Sequence, residues 1–155
     1  QSMELSVPDN IVNLLLPDFM KMLKQPEIRK AFECTTGGGA PSFDVHKSQL
    51  ASGQLQLKVE RERTFVLLHN GELVQGTIDR LVLLYSNGRP VAADVVDFKT
   101  DRFVGDRTRW IEGKQLHYGP QLAEYRFAVS HCFGIPSENI STRLLLLEAQ
   151  AVVAT

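Results

Sequence analysis

The stretch Val95-Val96-Asp97-Phe98-Lys99-Thr100 is a β-branched run that ends in an acid, an aromatic residue and a base. Side chains alternate between the two faces of a strand, so Asp97 and Lys99 are predicted to share one face, about 6–7 Å apart. Phe98 would point to the opposite face and pack against the layer that covers that face of the sheet. A carboxylate and an ammonium side by side at a strand end can hold a metal ion and steer a nucleophile. This stretch is therefore the first candidate site.

Two further motifs flank this stretch. Upstream, Gly76-Thr77-Ile78-Asp79-Arg80 places a second acid inside an apolar strand pattern. Downstream, residues 118–125 read Tyr-Gly-Pro-Gln-Leu-Ala-Glu-Tyr in helical register, so Gln121 and Tyr125 share one helix face. The order of motifs is an acid, then acid-x-Lys, then Tyr-x-x-Gln-x-x-x-Tyr.

This order of motifs resembles the PD-(D/E)XK nuclease superfamily, and within it the RecB-type nuclease domain that ends bacterial ATP-dependent helicase–nuclease chains. The family pattern is Gly-x-x-Asp-Arg, then Asp-(Phe/Tyr)-Lys-Thr, then Tyr-x-x-Gln-Leu-x-x-Tyr. The chain matches it at Gly76, Asp79, Arg80, Asp97, Phe98, Lys99, Thr100, Tyr118, Gln121, Leu122 and Tyr125. The resemblance covers about residues 55–150.

The resemblance implies a metal-dependent DNA exonuclease domain that acts in double-strand-break repair and recombination. Asp79 and Asp97 would bind Mg²⁺ or Mn²⁺, with the backbone carbonyl of Phe98 as a third ligand. Lys99 would orient or deprotonate the attacking water. The expected partners are DNA, as single strands or double-strand ends, and a helicase region of the same parent chain.

The helix motif adds further candidates. Gln121 and Tyr125 would line the site and contact the DNA backbone or a metal-bound water. The candidate DNA contacts are Arg80, Thr100 and Tyr118. For Arg80, a salt bridge to Asp101 or Glu124 is an equal alternative.

The site residues also have simpler explanations. Asp97 and Lys99 can form a surface ion pair at a strand end, and Asp79 can be the charge partner of Arg80 or Lys99. Glu62 matches an acid often found before the first core strand of the family, and an exposed strand acid is the alternative. The family also places a metal-ligating histidine upstream of the first core strand, in a Gly-x-x-x-His context that residues 1–55 lack, so the metal shell is expected to be one ligand short.

Two other functions compete with the nuclease hypothesis. One is a catalytically weak or inactive nuclease-fold module that only binds DNA, and the other is a small α/β interaction domain. A net charge of −1 is unusual for a free-standing nucleic-acid binder, although cations outnumber anions over residues 99–114. No apolar run is long enough to span a membrane. Cys34 and Cys132 lack CxxC spacing and favour reduced thiols in a cytosolic protein. The resemblance implies a bacterial, nucleoid-associated protein of the cytoplasm.

The predicted organisation is a tag remnant (1–3), a helical N-terminal segment with a flexible Gly-rich loop (4–50) and a nuclease core (51–155), together a fragment of a larger chain. Proline should start short helices, at Pro17 and Pro26. Strands beginning near Leu55 are joined by the hairpin turns Asn70-Gly71 and Asn87-Gly88.

The third strand should cover 91–100, with a mobile loop over 101–115 and a helix from about 114 to 133. Pro120 should kink that helix or mark its start, Gly134 and Pro136 should end it, and strands should follow at 141–147 and 151–155. Gly76 inside a strand indicates a bulge or a close backbone approach. The predicted fold class is α/β (α+β), a PD-(D/E)XK restriction-endonuclease-like core. Its central mixed sheet would contain a three-stranded antiparallel meander flanked by helices.

Overall fold

The computed structural model describes residues 20–21, 23–33 and 37–155. Its helices are α1 (Pro26–Ala31), α2 (Lys47–Ala51) and α3 (Arg107–Phe133), and its strands are β1 (Gln56–His69), β2 (Glu72–Ser86), β3 (Arg89–Lys99), β4 (Ile140–Leu146) and β5 (Ala151–Ala154). Short 3₁₀ turns occupy Gly37–Gly39, Pro41–His46 and Ser137–Asn139. Pro26 stands in the first turn of α1, as predicted. The helix expected to begin at Pro17, and Cys34, lie outside the described residues.

The five strands form one mixed sheet in the order β1-β2-β3-β4-β5. Strands β1, β2 and β3 pair antiparallel, so the predicted meander is confirmed. Strand β4 runs parallel to β3, and β5 runs antiparallel to β4. A parallel pair needs a crossover connection, and α3 supplies it between β3 and β4. The fold is α+β with a mixed sheet, as expected.

The two tight turns of the meander follow from Asn-Gly pairs. Asn70 and Gly71 have φ values of 51° and 82°, and Asn87 and Gly88 have φ values of 50° and 76°. A type I′ turn needs positive φ at both central residues, which Asn and Gly adopt at the lowest cost. Both predicted hairpins are confirmed.

The sheet lies between two layers. Helix α3 covers one face, where its buried residues pack against β2, β3 and β4; this cluster includes Leu81, Leu83, Val95, Leu122, Val129 and Leu144. The N-terminal segment covers the other face, where Ile28 and Ala31 pack on Val96 and Leu145. Neither α3 nor any other helix within the described ranges is long and apolar enough to cross a membrane.

Helix α3 begins earlier than predicted. Residues 101–115 were expected to form a loop, but the helix starts at Arg107, where the Asp106 side chain caps it by accepting a hydrogen bond from the Arg109 N–H (3.0 Å). The first turns carry exposed polar side chains, so they show no apolar period. Pro120 lies inside the helix and does not start it. Gly134, with φ of 66°, ends it as predicted.

The Gly-rich segment was predicted to be a flexible loop, and its described residues, from Gly37 onward, are packed in short 3₁₀ turns. Gly37 and Gly38 are buried. Gly38 has φ of 65°, and a Cβ there would lie 2.7 Å from the Ala31 carbonyl oxygen. Glycine therefore permits a close backbone approach at this position, rather than simple flexibility.

A buried ion pair joins this segment to the sheet. The Arg143 guanidinium binds the Asp94 carboxylate through Nε and Nη2, and its Nη1 donates to the Gly38 carbonyl (2.8 Å). The Ser141 hydroxyl donates to Asp94 Oδ1 (2.6 Å). Burial raises the pKa of Asp94, and the charge and hydrogen bonds of Arg143 oppose that rise. Sequence reasoning missed this pair.

Candidate active site

The two predicted metal-binding acids lie opposite each other on adjacent strands. The β2–β3 register pairs Arg80 with Val96, and one further step brings Asp79 opposite Asp97. Asp79 Oδ2 accepts a hydrogen bond from the Phe98 N–H (2.8 Å). The β2–β3 hairpin therefore brings together two carboxylates that lie on opposite sides of the Asn87-Gly88 turn in the sequence.

The hairpin changes its buried face at the same place. Val59 packs with Val82 on the face covered by the N-terminal segment, whereas Phe65 packs under α3, although regular alternation would put Val59 and Phe65 on the same face. The switch lies at Glu62, whose φ is 50°. The pairs on either side place Glu62 opposite Asp79. Positive φ is uncommon for a residue with a long side chain, so the backbone is strained beside the candidate site.

Lys99 shares a face with Asp97, as predicted. Its Nζ lies 2.8 Å from Asp97 Oδ2 and donates to Gln121 Oε1 at 3.1 Å. The same ammonium lies 4.3 Å from the centre of the Tyr118 ring. A carboxylate, an amide and an aromatic face thus surround the amino group.

Helix α3 presents Tyr118, Gln121 and Tyr125 on one stripe toward β2 and β3. Gln121 Nε2 donates to the Tyr125 hydroxyl (2.8 Å), which donates to the Thr77 carbonyl (3.0 Å). Together with the Lys99 contact, these bonds form a polar chain from Asp97 across the helix to β2.

Gly76 makes this arrangement possible. A Cβ at this position would lie 2.8 Å from Phe65 Cζ and 3.1 Å from Tyr125 Cε1. Of the two explanations predicted for this glycine, the close approach is the one observed. The rings of Phe65 and Tyr125 meet edge to face over the glycine, with centroids 5.7 Å apart. This packing sets the depth at which the Tyr125 hydroxyl reaches the strand.

The Asp97 carboxylate is costly to hold in its charged form. It is 2% exposed. Burial raises its pKa, the Lys99 ammonium opposes that rise, and the neighbouring Asp79 carboxylate raises the pKa further. Asp97 Oδ2 forms the 2.8 Å ion pair with Lys99 Nζ, and within the described ranges it has no further hydrogen-bond partner.

These features fit a hard divalent cation. Two facing carboxylates, one with a buried oxygen held only by the Lys99 ammonium within the described ranges, are the donors that Mg²⁺ and Mn²⁺ prefer, with the remaining positions left to water. The N–H and C=O of one strand residue leave the same edge, so the Phe98 carbonyl is directed toward β2, where Asp79 lies. No group of three or more His, Cys, Asp or Glu side chains suited to a metal occurs in the part of the chain that the structure describes.

The Arg80 side chain is buried against the N-terminal segment. It is 3% exposed, and its Nη2 donates to the Phe32 carbonyl (3.3 Å). The guanidinium also lies over the Phe32 ring, 5.5 Å from its centre. The side chain points to the face covered by the N-terminal segment, and the phosphate contact of Arg80 stays a prediction. Thr100 is exposed at the end of β3.

Asp101 and Lys114 belong to the site, and sequence reasoning did not place them there. Lys114 Nζ bonds to Asp101 Oδ1 (2.6 Å), and the Tyr118 hydroxyl donates to Asp101 Oδ2 (2.8 Å). Burial, followed by the bond to Asp101, raises the pKa of Tyr118 to about 12. The spacing of Lys114 and Tyr118, four apart on a helix, was a readable signal. Their meeting with Asp101 depends on the path of the loop between β3 and α3.

No protein-family model and no curated protein matches the chain. The function is therefore inferred from the geometry of the site.

Proposed function

We propose that this chain is a metal-dependent DNA nuclease domain of the PD-(D/E)XK type. The observation that carries the proposal is the meeting of Asp79 and Asp97 on adjacent strands, with Lys99 held beside Asp97. Two carboxylates and a lysine at one strand end match the needs of phosphodiester hydrolysis, which are a bound cation, a positioned nucleophile and neutralised phosphate charge.

The roles of the residues follow from their surroundings. Asp79, Asp97 and the Phe98 carbonyl would hold Mg²⁺ or Mn²⁺, which would polarise the phosphate and lower the pKa of a bound water. Lys99, in contact with Asp97, would orient that water or take its proton. Gln121 keeps the Lys99 ammonium from turning to solvent, and Tyr125 fixes Gln121 against the Thr77 carbonyl.

The proposal is tested by cleavage of end-labelled linear DNA in Mg²⁺ and in Mn²⁺. We expect Asp79→Asn and Asp97→Asn each to reduce the cleavage rate by about 10²-fold or more, because the charge that holds the metal is lost. Asparagine keeps the side-chain shape, and the amide oxygen that Asp79→Asn introduces can still accept from the Phe98 N–H. Both variants should also lose the rise in melting temperature that Mn²⁺ gives to the unaltered chain.

The matched control is Asp44→Asn, which removes one acid from an exposed ion pair with Lys47 (2.7 Å). It should cut DNA at the unaltered rate. Cleavage that survives loss of both Asp79 and Asp97, or that proceeds in EDTA, would contradict the proposal.

A DNA-binding module that cuts weakly is the second candidate, and the state of Lys99 favours it. The ammonium is engaged by Asp97 and Gln121, so Asp97 must turn toward a metal before Lys99 can face a phosphate. Binding of DNA without cleavage in either metal would select this function. Cleavage in Mn²⁺ far above that in Mg²⁺ would indicate an active site with an irregular metal shell.

The wider setting of the proposal is a helicase–nuclease of the bacterial cytoplasm that resects double-strand ends during repair and recombination. In such an enzyme the helicase region feeds DNA to the nuclease. A nearly neutral nuclease domain then needs little basic surface of its own, which agrees with the net charge of −1.

A further inference from the structure

Charges and an aromatic ring alternate beyond the candidate metal ligands. Asp97 contacts Lys99, Lys99 lies against the Tyr118 ring, and Lys114 lies 5.8 Å from the centre of the same ring. Asp101 completes the row by accepting hydrogen bonds from Lys114 and from the Tyr118 hydroxyl. The ammonium groups of Lys99 and Lys114 thus both lie against the Tyr118 ring. Lys99 is paired with Asp97, and Lys114 is paired with Asp101.

Asp101 decides where the Tyr118 ring lies. The ring is attached to α3 through rotatable side-chain bonds and packs partly against the core, and its hydroxyl bond to Asp101 fixes the far end. Lys114 would repel Lys99 across the ring if its charge were not balanced, and Asp101 balances it at 2.6 Å. Loss of Asp101 would therefore release the Tyr118 hydroxyl. It would also leave the Lys99 and Lys114 ammonium groups with one neighbouring carboxylate, that of Asp97.

The loop that carries Asp101 is anchored by hydrogen bonds to the segment between β4 and β5. The Phe103 N–H donates to the Glu148 carboxylate (3.2 Å), and Arg107 Nε donates to the Ala149 carbonyl (3.1 Å). The Phe103 ring packs edge to face on Trp110 at 5.6 Å. Asp101 is thus held in a fixed loop between β3 and α3.

We propose that Asp101 is a positioning residue, which holds the Tyr118 ring through its hydroxyl and so keeps the Lys99 ammonium beside Asp97. The importance of this for cleavage rests on the proposed function, whereas the positioning itself is a property of the fold. Asp101 would not touch the substrate. Its effect should reach the reaction only through Tyr118 and Lys99.

The test compares Asp101→Ala, Asp101→Asn and Tyr118→Phe by NMR and by cleavage kinetics. A ring centre 4.3 Å away should shift the ε-CH₂ protons of Lys99 upfield of the other lysines, and Lys99→Ala assigns the signal by removing it. Asp101→Ala and Tyr118→Phe should move the signal toward the other lysines. Asp101→Asn, whose amide oxygen can still accept from Tyr118 but whose side chain no longer balances the Lys114 charge, should move it less than Asp101→Ala does.

The kinetic readout separates positioning from binding. Asp101→Ala and Tyr118→Phe should each lower kcat about tenfold, the scale seen when support behind a reacting group is lost, with KM for DNA nearly unchanged. The double variant should be no slower than either single variant, because both changes break the same hydrogen bond. Asp101→Asn should recover part of kcat, since it keeps the acceptor for Tyr118 but not the charge beside Lys114, and the remote Asp44→Ala should alter neither readout.

An unmoved Lys99 signal in Asp101→Ala would overturn the proposal, as would a double variant with the product of the two single losses. A chain that binds no metal and cuts no DNA would instead refute the nuclease function. In that case the Lys99 signal alone would still decide whether Asp101 holds the ring.

Discussion

Replacement of Lys99 by alanine is expected to reduce DNA cleavage by about 10²–10⁴-fold, the usual loss when a positioned acid–base group is removed. Its ammonium is the only lysine nitrogen that the described structure places against Asp97, at 2.8 Å. Asp79 keeps its bond from Phe98 in the variant, and both carboxylates remain, so the affinity for Mn²⁺ should survive. The measurement is single-turnover cleavage, with Mn²⁺ titrated separately by calorimetry.

The salt dependence of DNA binding separates a binding role of Lys99 from a catalytic role. Loss of one phosphate contact should lower the salt slope of DNA binding by at most about one unit. Lys58→Ala is the control, since it removes an exposed lysine that pairs with the half-buried Glu60 on the same sheet. Equal losses in binding and in cutting would make Lys99 a phosphate anchor, and unchanged cutting would leave it a structural ion pair.

Replacement of Arg143 by methionine is expected to lower the free energy of unfolding by about 3–5 kcal/mol, the cost of leaving a buried charge without its partner. Asp94 is fully buried, and Arg143 is its counter-charge as well as the donor to the Gly38 carbonyl. Urea denaturation followed by circular dichroism measures the change.

Two comparisons locate the origin of this loss. Adding Asp94→Leu to Arg143→Met should restore part of the stability, because the orphaned carboxylate is removed. Lys47→Met, which breaks an exposed ion pair, should change the stability by less than about 1 kcal/mol. A loss from Arg143→Met no larger than that from Lys47→Met would show that the buried pair contributes little to the fold.

Local chemistry explains why the meander could be predicted. Asn-Gly pairs fix both turns, and strands joined by tight turns are neighbours, so two acids on consecutive strands were expected to meet. The parallel pairing of β3 with β4 has no such local signal. Asp94 and Arg143 meet only through that pairing, which is why the sequence did not reveal them.

The surroundings of two site residues were not predicted for a similar reason. Arg80 turns to Phe32 on the face covered by the N-terminal segment. That contact joins residues 48 apart in the chain, so no local pattern indicates it. Asp101 was not placed because its position depends on a loop whose anchors, at Glu148 and Ala149, are remote in the sequence.

The central claim is that Asp79 and Asp97 share one divalent ion. A crystal of this chain soaked in Mn²⁺ and measured near the manganese absorption edge tests it directly. We expect one anomalous peak between the two side chains, about 2.0–2.2 Å from an oxygen of each carboxylate, as hard oxygen ligands bind such ions. A crystal that takes up Mn²⁺ elsewhere, with Asp97 still paired to Lys99 and no peak between the two acids, would contradict it.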